Sequence, residues 1–344
     1  MQMRRRTAVP GRDGTRPRPV SRRGVLGATL AGGLAATGGA TGAGAAGGRR
    51  EERPAEQRSG RPRPSAGGAV RLRWLGNNGW EIRIERDGHT RTVLIDPWLT
   101  RFRTGTYTPE GADPDTPVTV DKPLIDRHGL RADQILVTHG HYDHLPDVPH
   151  LAATTGATVL GTESHVNMMR AMGAPEEQLS VVSGGELLQC DGYTVQVLPS
   201  LHSMVGEHPR VPFPGTRPAE VPPRPRVISD LVEGGTLAYR VTVNGFSIVN
   251  FGGSNFSEAG LAGVRADLVL MQPGGSAIHA LVPRMLRALD HPAYVVPTHW
   301  DDIDHPLDEP ARDWGGLDSL RRAVREASPG SRFLVLDHLE TLTL

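Results

Sequence analysis

Residues 137–148 read VTHGHYDHLPDV. Three histidines, His139, His141 and His144, and one acid, Asp143, fall within six positions of that run. A single histidine would pass as an ordinary surface or core residue; four donors packed this tightly point to a ligand. The preceding Gln134-Ile135-Leu136-Val137-Thr138 is apolar and β-branched and reads as a buried strand. The donors thus begin where the strand stops, and strand ends are where a rigid scaffold presents chemistry. His139 and His141 are two apart, so extended backbone points them the same way. Asp143 and His144 follow at a bend that can turn them to the same point. Neutral imidazole and carboxylate suit zinc and related divalent ions.

Two further histidines share this context. His202 follows the strand Val195–Leu198 and the turn Pro199-Ser200-Leu201; His299 follows Val295-Val296 and Pro297-Thr298. Their recurring place just past a strand end is the signal, rather than their residue type. Zinc takes three or four protein ligands, with a position left open when it is catalytic. His139, His141 and His202 would serve one ion, and Asp143, His144 and His299 a second.

Around these residues, short alternating strands dominate. Val70–Leu75 and Trp80–Ile84 flank the turn Gly76-Asn77-Asn78-Gly79, and Arg91–Asp96 ends at Pro97. Strands recur at 158–161, within 179–198, at 235–243 and 246–251 about the hairpin turn Asn244-Gly245, and at 268–271 and 294–296. Helices are expected near 147–156, 163–173, 278–289 and 315–327. No internal repeat is legible. Two sheets covered by helices are the economical layering. Segment 204–226 carries seven prolines and reads as an extended loop, either a lid or an insertion. Cys190, the only cysteine, excludes an intrachain disulfide and reads as a core thiol.

The chain has 344 residues and zero formal net charge. That average hides a split. Residues 1–45 hold eight Arg and one Asp, and 46–68 hold six Arg and three Glu, leaving 69–344 with 24 basic and 34 acidic residues, a net of −10. An acidic domain speaks against nucleic acid as a partner. Ser21-Arg22-Arg23-Gly24-Val25-Leu26 is a twin-arginine pattern, followed by a Gly/Ala-rich, weakly apolar stretch and a small-residue cleavage site at Ala43-Gly44-Ala45. Residues 1–45 are therefore expected to be a twin-arginine (Tat) signal peptide engaging the Tat export machinery, and 46–68 a Pro/Gly-rich disordered linker. The expected location is extracytoplasmic, with no stable membrane span in the mature chain.

The motif His139-Gly140-His141-Tyr142-Asp143-His144 matches the H-x-H-x-D-H signature of the metallo-β-lactamase fold, and the chain resembles that superfamily. Trp74–Trp80 and Ile95-Asp96-Pro97-Trp98 match its first strands. Ala266–Gly275 and Pro297-Thr298-His299-Trp300 are similar to the branch containing ascorbate-6-phosphate lactonase and the N-acyl-phosphatidylethanolamine phospholipase D type. The resemblance spans roughly residues 70–305. It implies an α/β, single-domain αββα sandwich over 69–344 and a metal-dependent hydrolase. One or two zinc ions are expected, with manganese and iron also compatible. Zinc held by His139, His141 and His202 would lower the pKa of water from ~15.7 towards ~7 for attack on an ester, lactone or phosphoester of a small-molecule or lipid-like substrate. Asp143 would orient that water or shuttle its proton. Asp96 would hold a ligating histidine by its other nitrogen, or cap its strand.

The pattern departs in two places. Gly253 stands where the family carries a bridging Asp, and Asn77 where this branch often carries His. Asp301, Asp302, Ser254 or Asn255 could substitute for the bridge. A degenerate, non-catalytic metal- or ligand-binding protein and a β-lactamase are the alternative readings. Trp80, Trp98 and Trp300 are expected either to wall the pocket or to fill the core. His208, His279, His291 and His305 read as surface residues.

Overall fold

The computed structural model describes residues 70–274 and 277–344. The expected signal peptide (1–45) and linker (46–68) lie outside the described residues.

Alternation along the strands builds the architecture. β1 (Val70–Trp74), β2 (Trp80–Arg86) and β3 (His89–Ile95) form an antiparallel meander. β4 (Gln134–Leu136), β5 (Thr158–Gly161) and β6 (Leu179–Val181) then add in parallel. In β3, Val93 and Ile95 face one apolar layer and Leu94 the other. A strand buried on both faces needs cover on both sides. The outer cover comes from α1 (Lys122–Arg127), α2 (Val148–Thr155) and α3 (Glu163–Met172), through Ile125, Leu151 and Met169 among others.

The second sheet repeats the plan. β7 (Leu187–Cys190), β8 (Tyr193–Pro199), β9 (Leu237–Val243) and β10 (Phe246–Phe251) are antiparallel. β11 (Leu268–Met271), β12 (Tyr294–Pro297) and β13 (Arg332–Phe333) follow in parallel. α4 (Leu281–Ala288) and α5 (Leu317–Ala327) cover it. β14 (Thr341–Thr343) crosses back to pair with β1, so that among the described residues each sheet has seven strands. Between the sheets lies a layer holding Leu72, Trp74, Ile82, Val197, Tyr239 and Leu270. The molecule is an αββα sandwich, as the motif implied. The two sheets share one strand plan that residue identities do not disclose.

The expected strands and four helices are present within a few residues. Three elements were not expected: α1, started by Asp121 accepting from Leu124 N, and the terminal strands β13 and β14. Cys190 is a half-buried thiol packed against the inter-sheet layer. Trp80, Trp98 and Trp300 are core residues, with Trp74 stacked on Trp300 at 5.1 Å. His305 corrects its surface reading: it is 5% exposed, with Nε2 3.3 Å from Glu309. Among the described residues no helix is long and apolar enough to cross a membrane.

Candidate metal centre

Every sequence-derived donor lies just beyond the C-terminal end of a strand. His139, His141, Asp143 and His144 follow β4, His202 follows β8 and His299 follows β12. The tight turn through the motif depends on Gly140. A Cβ there would sit 2.2 Å from Met168 Cε and 2.5 Å from the Val232 carbonyl, so no larger residue fits.

One nitrogen of each imidazole is engaged by the protein, which leaves the other for the centre. Thr138 Oγ1 lies 3.2 Å from His139 Nδ1 and donates its own hydrogen bond to Asp96. His141 Nε2 faces the Phe213 carbonyl at 3.4 Å. The Ser203 carbonyl takes His202 Nδ1 at 2.7 Å. Asp96 Oδ2 takes His144 Nδ1 at 2.7 Å. The Tyr107 hydroxyl lies 3.2 Å from His299 Nδ1. Such partners fix tautomer and ring orientation, as in ligating histidines generally.

The inner atoms converge. Ligand atoms of His139, His141 and His202 lie within 4.8 Å of one another, as do those of His139, Asp143 and His144. His139 Nε2 and His202 Nε2 are 3.2 Å apart. With both Nδ1 atoms acting as donors, two lone pairs face each other across that gap. Tetrahedral Zn–N bonds place neighbouring nitrogens about 3.3 Å apart, so a cation resolves the clash. Asp143 Oδ2 lies 3.3 Å from His144 Nε2 and 3.2 Å from His299 Nε2. His144 Nε2 is buried and makes no aligned hydrogen bond, the state expected of a nitrogen kept for a metal. On this side the structure groups His139 rather than His299 with Asp143 and His144; His299 Nε2 lies 3.2 Å from Asp143, and its ring 5.6 Å from that of His144.

Electrostatics agree with the donor set. Burial, reinforced by the neighbouring imidazoles, holds His139 well below the usual histidine range and His141 down at about 3. Burial lowers His202 too. These rings are neutral, as ligation requires. Burial would also lower His144, but Asp143 and Asp96 on either side push it up to about 10. Burial would raise Asp143, but His144 and His299 hold it well below the carboxylate range. The two carboxylates thus favour positive charge at His144, and a cation bound there would take the place of the proton on its Nε2.

The expected substitutes for the bridging carboxylate are engaged elsewhere. Asp301 pairs with Arg101 at 2.7 Å and His338 at 2.8 Å and accepts from Asn77 N. Asp302 accepts from Asp304 N at 3.0 Å and lines a cleft with Arg103, Tyr107, Thr108 and Asp304. The Ser254 hydroxyl bonds Ser203 Oγ, and Asn255 bonds the His202 carbonyl. The place of a side chain at Gly253 is itself closed: a Cβ there would meet Ser203 N at 2.8 Å. Sequence reading did not find Tyr107, Thr138 or Phe213. Tyr107 lies outside regular structure and Phe213 in the proline-rich loop, whose ring packs 6.0 Å from those of His141 and Tyr142. Thr138 had a signal, its position between the strand and His139. Asp96, Asn77, His299 and Phe213 all hold left-handed φ values, between 36° and 54°, uncommon for residues with side chains and often found at functional sites.

With this geometry in place, residues 71–299 match the family described as Beta-lactamase superfamily domain. The chain belongs to the beta-lactamase superfamily. A superfamily relative from Methanosarcina mazei, named UPF0173 metal-dependent hydrolase, is 22% identical over 280 residues, which cover 80% of this chain and 99% of the relative. Another of that name, from Thermofilum pendens, is 32% identical over 135 residues, or 39% of this chain. The match spans about half the length of that relative (51%). Among solved structures, Igni18, a metallo hydrolase of Ignicoccus hospitalis, aligns with a TM-score of 0.48 at 18% identity, covering 80% of this chain and 98% of the other.

Proposed function

We propose that this superfamily member is a metal-dependent hydrolase of ester, lactone or phosphoester bonds. The observation that carries the proposal is the set of five imidazoles, each held by one nitrogen, with His139, His141 and His202 converging on one point. These three would hold one cation, and Asp143 and His144, with His299 nearby, a second. A cation held by these residues would supply acidified water and polarisation of a substrate oxygen. The chain's own residues do the remainder. Asp143, ionised and next to His144 and His299, orients the attacking water. Phe213 and Tyr142 form an apolar wall beside His141. The names of the relatives support hydrolysis, and the Pro297-Thr298-His299-Trp300 motif supports a lactone or phosphoester over a β-lactam. Zinc is the first candidate for the cation, with manganese and iron next. The twin-arginine segment supports extracytoplasmic action on a small-molecule or lipid-like substrate.

The test is elemental analysis of purified protein, followed by assay on p-nitrophenyl acetate, bis-p-nitrophenyl phosphate, a γ-lactone and a chromogenic cephalosporin. Metal-dependent turnover of one of the first three, abolished by chelator and by His141→Ala, is the expected outcome. Turnover of the cephalosporin alone would transfer the reading to a β-lactamase. Bound metal with no turnover of any substrate would favour the non-catalytic reading that Gly253 suggests. A reporter fused behind residues 1–68 tests export: Arg22→Lys/Arg23→Lys should retain it in the cytoplasm.

A further inference from the structure

Asn77 is fully buried, and all of its polar atoms but one are committed. Its N–H donates to Asp301 Oδ1 at 2.9 Å. Its carbonyl accepts from Trp74 Nε1 at 3.0 Å, Thr298 Oγ1 at 2.9 Å and His299 N at 2.7 Å. Its side-chain amide donates to the Asp143 carbonyl at 2.6 Å and lies 3.4 Å from Asp143 Oδ2. Those contacts fix the orientation of the amide, because the flipped form would set oxygen against oxygen. Oδ1 is then left buried with no hydrogen-bond partner. Buried amide oxygens are normally satisfied, so one left unpaired beside two candidate ligands needs a partner from outside the chain.

The place of the missing carboxylate completes the case. Ser203 closes the space at Gly253, and Asp301 is held by Arg101 and His338. On the Asp143 side the centre therefore has a single carboxylate, Asp143, grouped with His139 and His144. We infer that Asn77 Oδ1 is a ligand of the cation bound beside Asp143, a neutral oxygen next to that carboxylate. The inference rests on the metal-dependent reading above. It gives that half of the centre two oxygens, from Asp143 and Asn77, alongside imidazole nitrogen. Oxygen donors favour manganese and other harder divalent ions.

The experiment strips the protein with chelator and titrates it with Mn²⁺, reading free Mn²⁺ by electron paramagnetic resonance. Wild type, Asn77→Ala, Asn77→Asp and His202→Ala are compared. Asn77→Asp decides the matter, because it keeps the oxygen, suits the left-handed backbone and removes the donor to Asp143. If Asn77 ligates, wild type takes two ions and Asn77→Ala weakens one of them at least tenfold. Asn77→Asp then matches or exceeds wild type. If the amide merely holds Asp143, Asn77→Asp loses that ion as fully as Asn77→Ala, because a second carboxylate repels Asp143; this result overturns the inference. Two ions bound unchanged by Asn77→Ala also overturn it. A single wild-type ion, lost in His202→Ala, overturns it while leaving the metal-dependent reading intact. No bound ion in wild type removes both.

Discussion

Asp96 accepts from Thr138 N, Thr138 Oγ1, Asn78 Nδ2 and His144 Nδ1, all within a fully buried site. An amide at this position would turn a donor towards one of four donors. Asp96→Asn should therefore weaken metal binding about 10–100-fold, as loss of a ligand's partner typically does. Competition with a chromophoric chelator would measure it; unchanged affinity would demote Asp96 to a strand cap. Gly253→Asp, which restores the residue the family usually carries, should not restore a bridge here. Its Cβ would meet the Ser203 backbone at 2.8 Å, and backbone cannot rotate away. We expect a loss of about 1–3 kcal/mol in denaturant unfolding, typical of overpacking, with no gain in metal. At this scale the sequence was legible where donors lie close together along the chain. His139, His141, Asp143 and His144 declare themselves by spacing. Tyr107 and Phe213 reach the centre from irregular segments, and nothing in their neighbours marks them.

Elements were legible where burial imposes a period. β3 and β10 announce themselves through residues buried on alternate faces. β13 and β14 are two and three residues long, too short to show a period, and half exposed. α1 has only one buried residue, Ile125, so its amphipathic signal is weak. Connections between elements were also opaque. Arg101, Asp301 and His338 come from three separate segments and meet in a buried ion network, with side chains no more than 2% exposed. Burial would raise Asp301, but Arg101 and then His338 hold it down at about 2. Arg101→Ala would strand that carboxylate. We expect a loss of about 3–5 kcal/mol by chemical denaturation, the range for breaking one side of a buried pair. Asp301 also holds Asn77 N, so metal affinity should fall with it.

At the scale of the whole molecule, acid should act in two stages. His165 is buried, accepts Thr162 N on Nδ1 and places Nε2 3.1 Å from the Glu233 carbonyl. Burial lowers it to about 4. Between pH 6.5 and about 4 the unfolded chain binds a proton that the folded chain refuses, so stability falls as pH drops through that window. The full loss is roughly 3 kcal/mol. Asp301, depressed to about 2, adds a further loss as pH falls below the unfolded carboxylate range. Unfolding midpoints across pH 7 to 2 would show this; His165→Gln should make the upper stage shallower, the remainder belonging to the buried His139, His141 and His202. Wild-type and His165→Gln profiles that stay parallel from pH 6.5 to 4.5 would refute the assignment to His165.

The two sheets share one strand plan, and the candidate ligands are divided between them: His139, His141, Asp143 and His144 belong to the first, His202 and His299 to the second. Neither half can assemble the centre alone. A cation seated there acts as a rivet through the seam, and its affinity is converted into resistance to parting the halves. At a hundred times its dissociation constant it would add about 2.7 kcal/mol to the folded state. The chain would then be sturdier wherever metal is plentiful and would come apart first along that seam where metal is scarce.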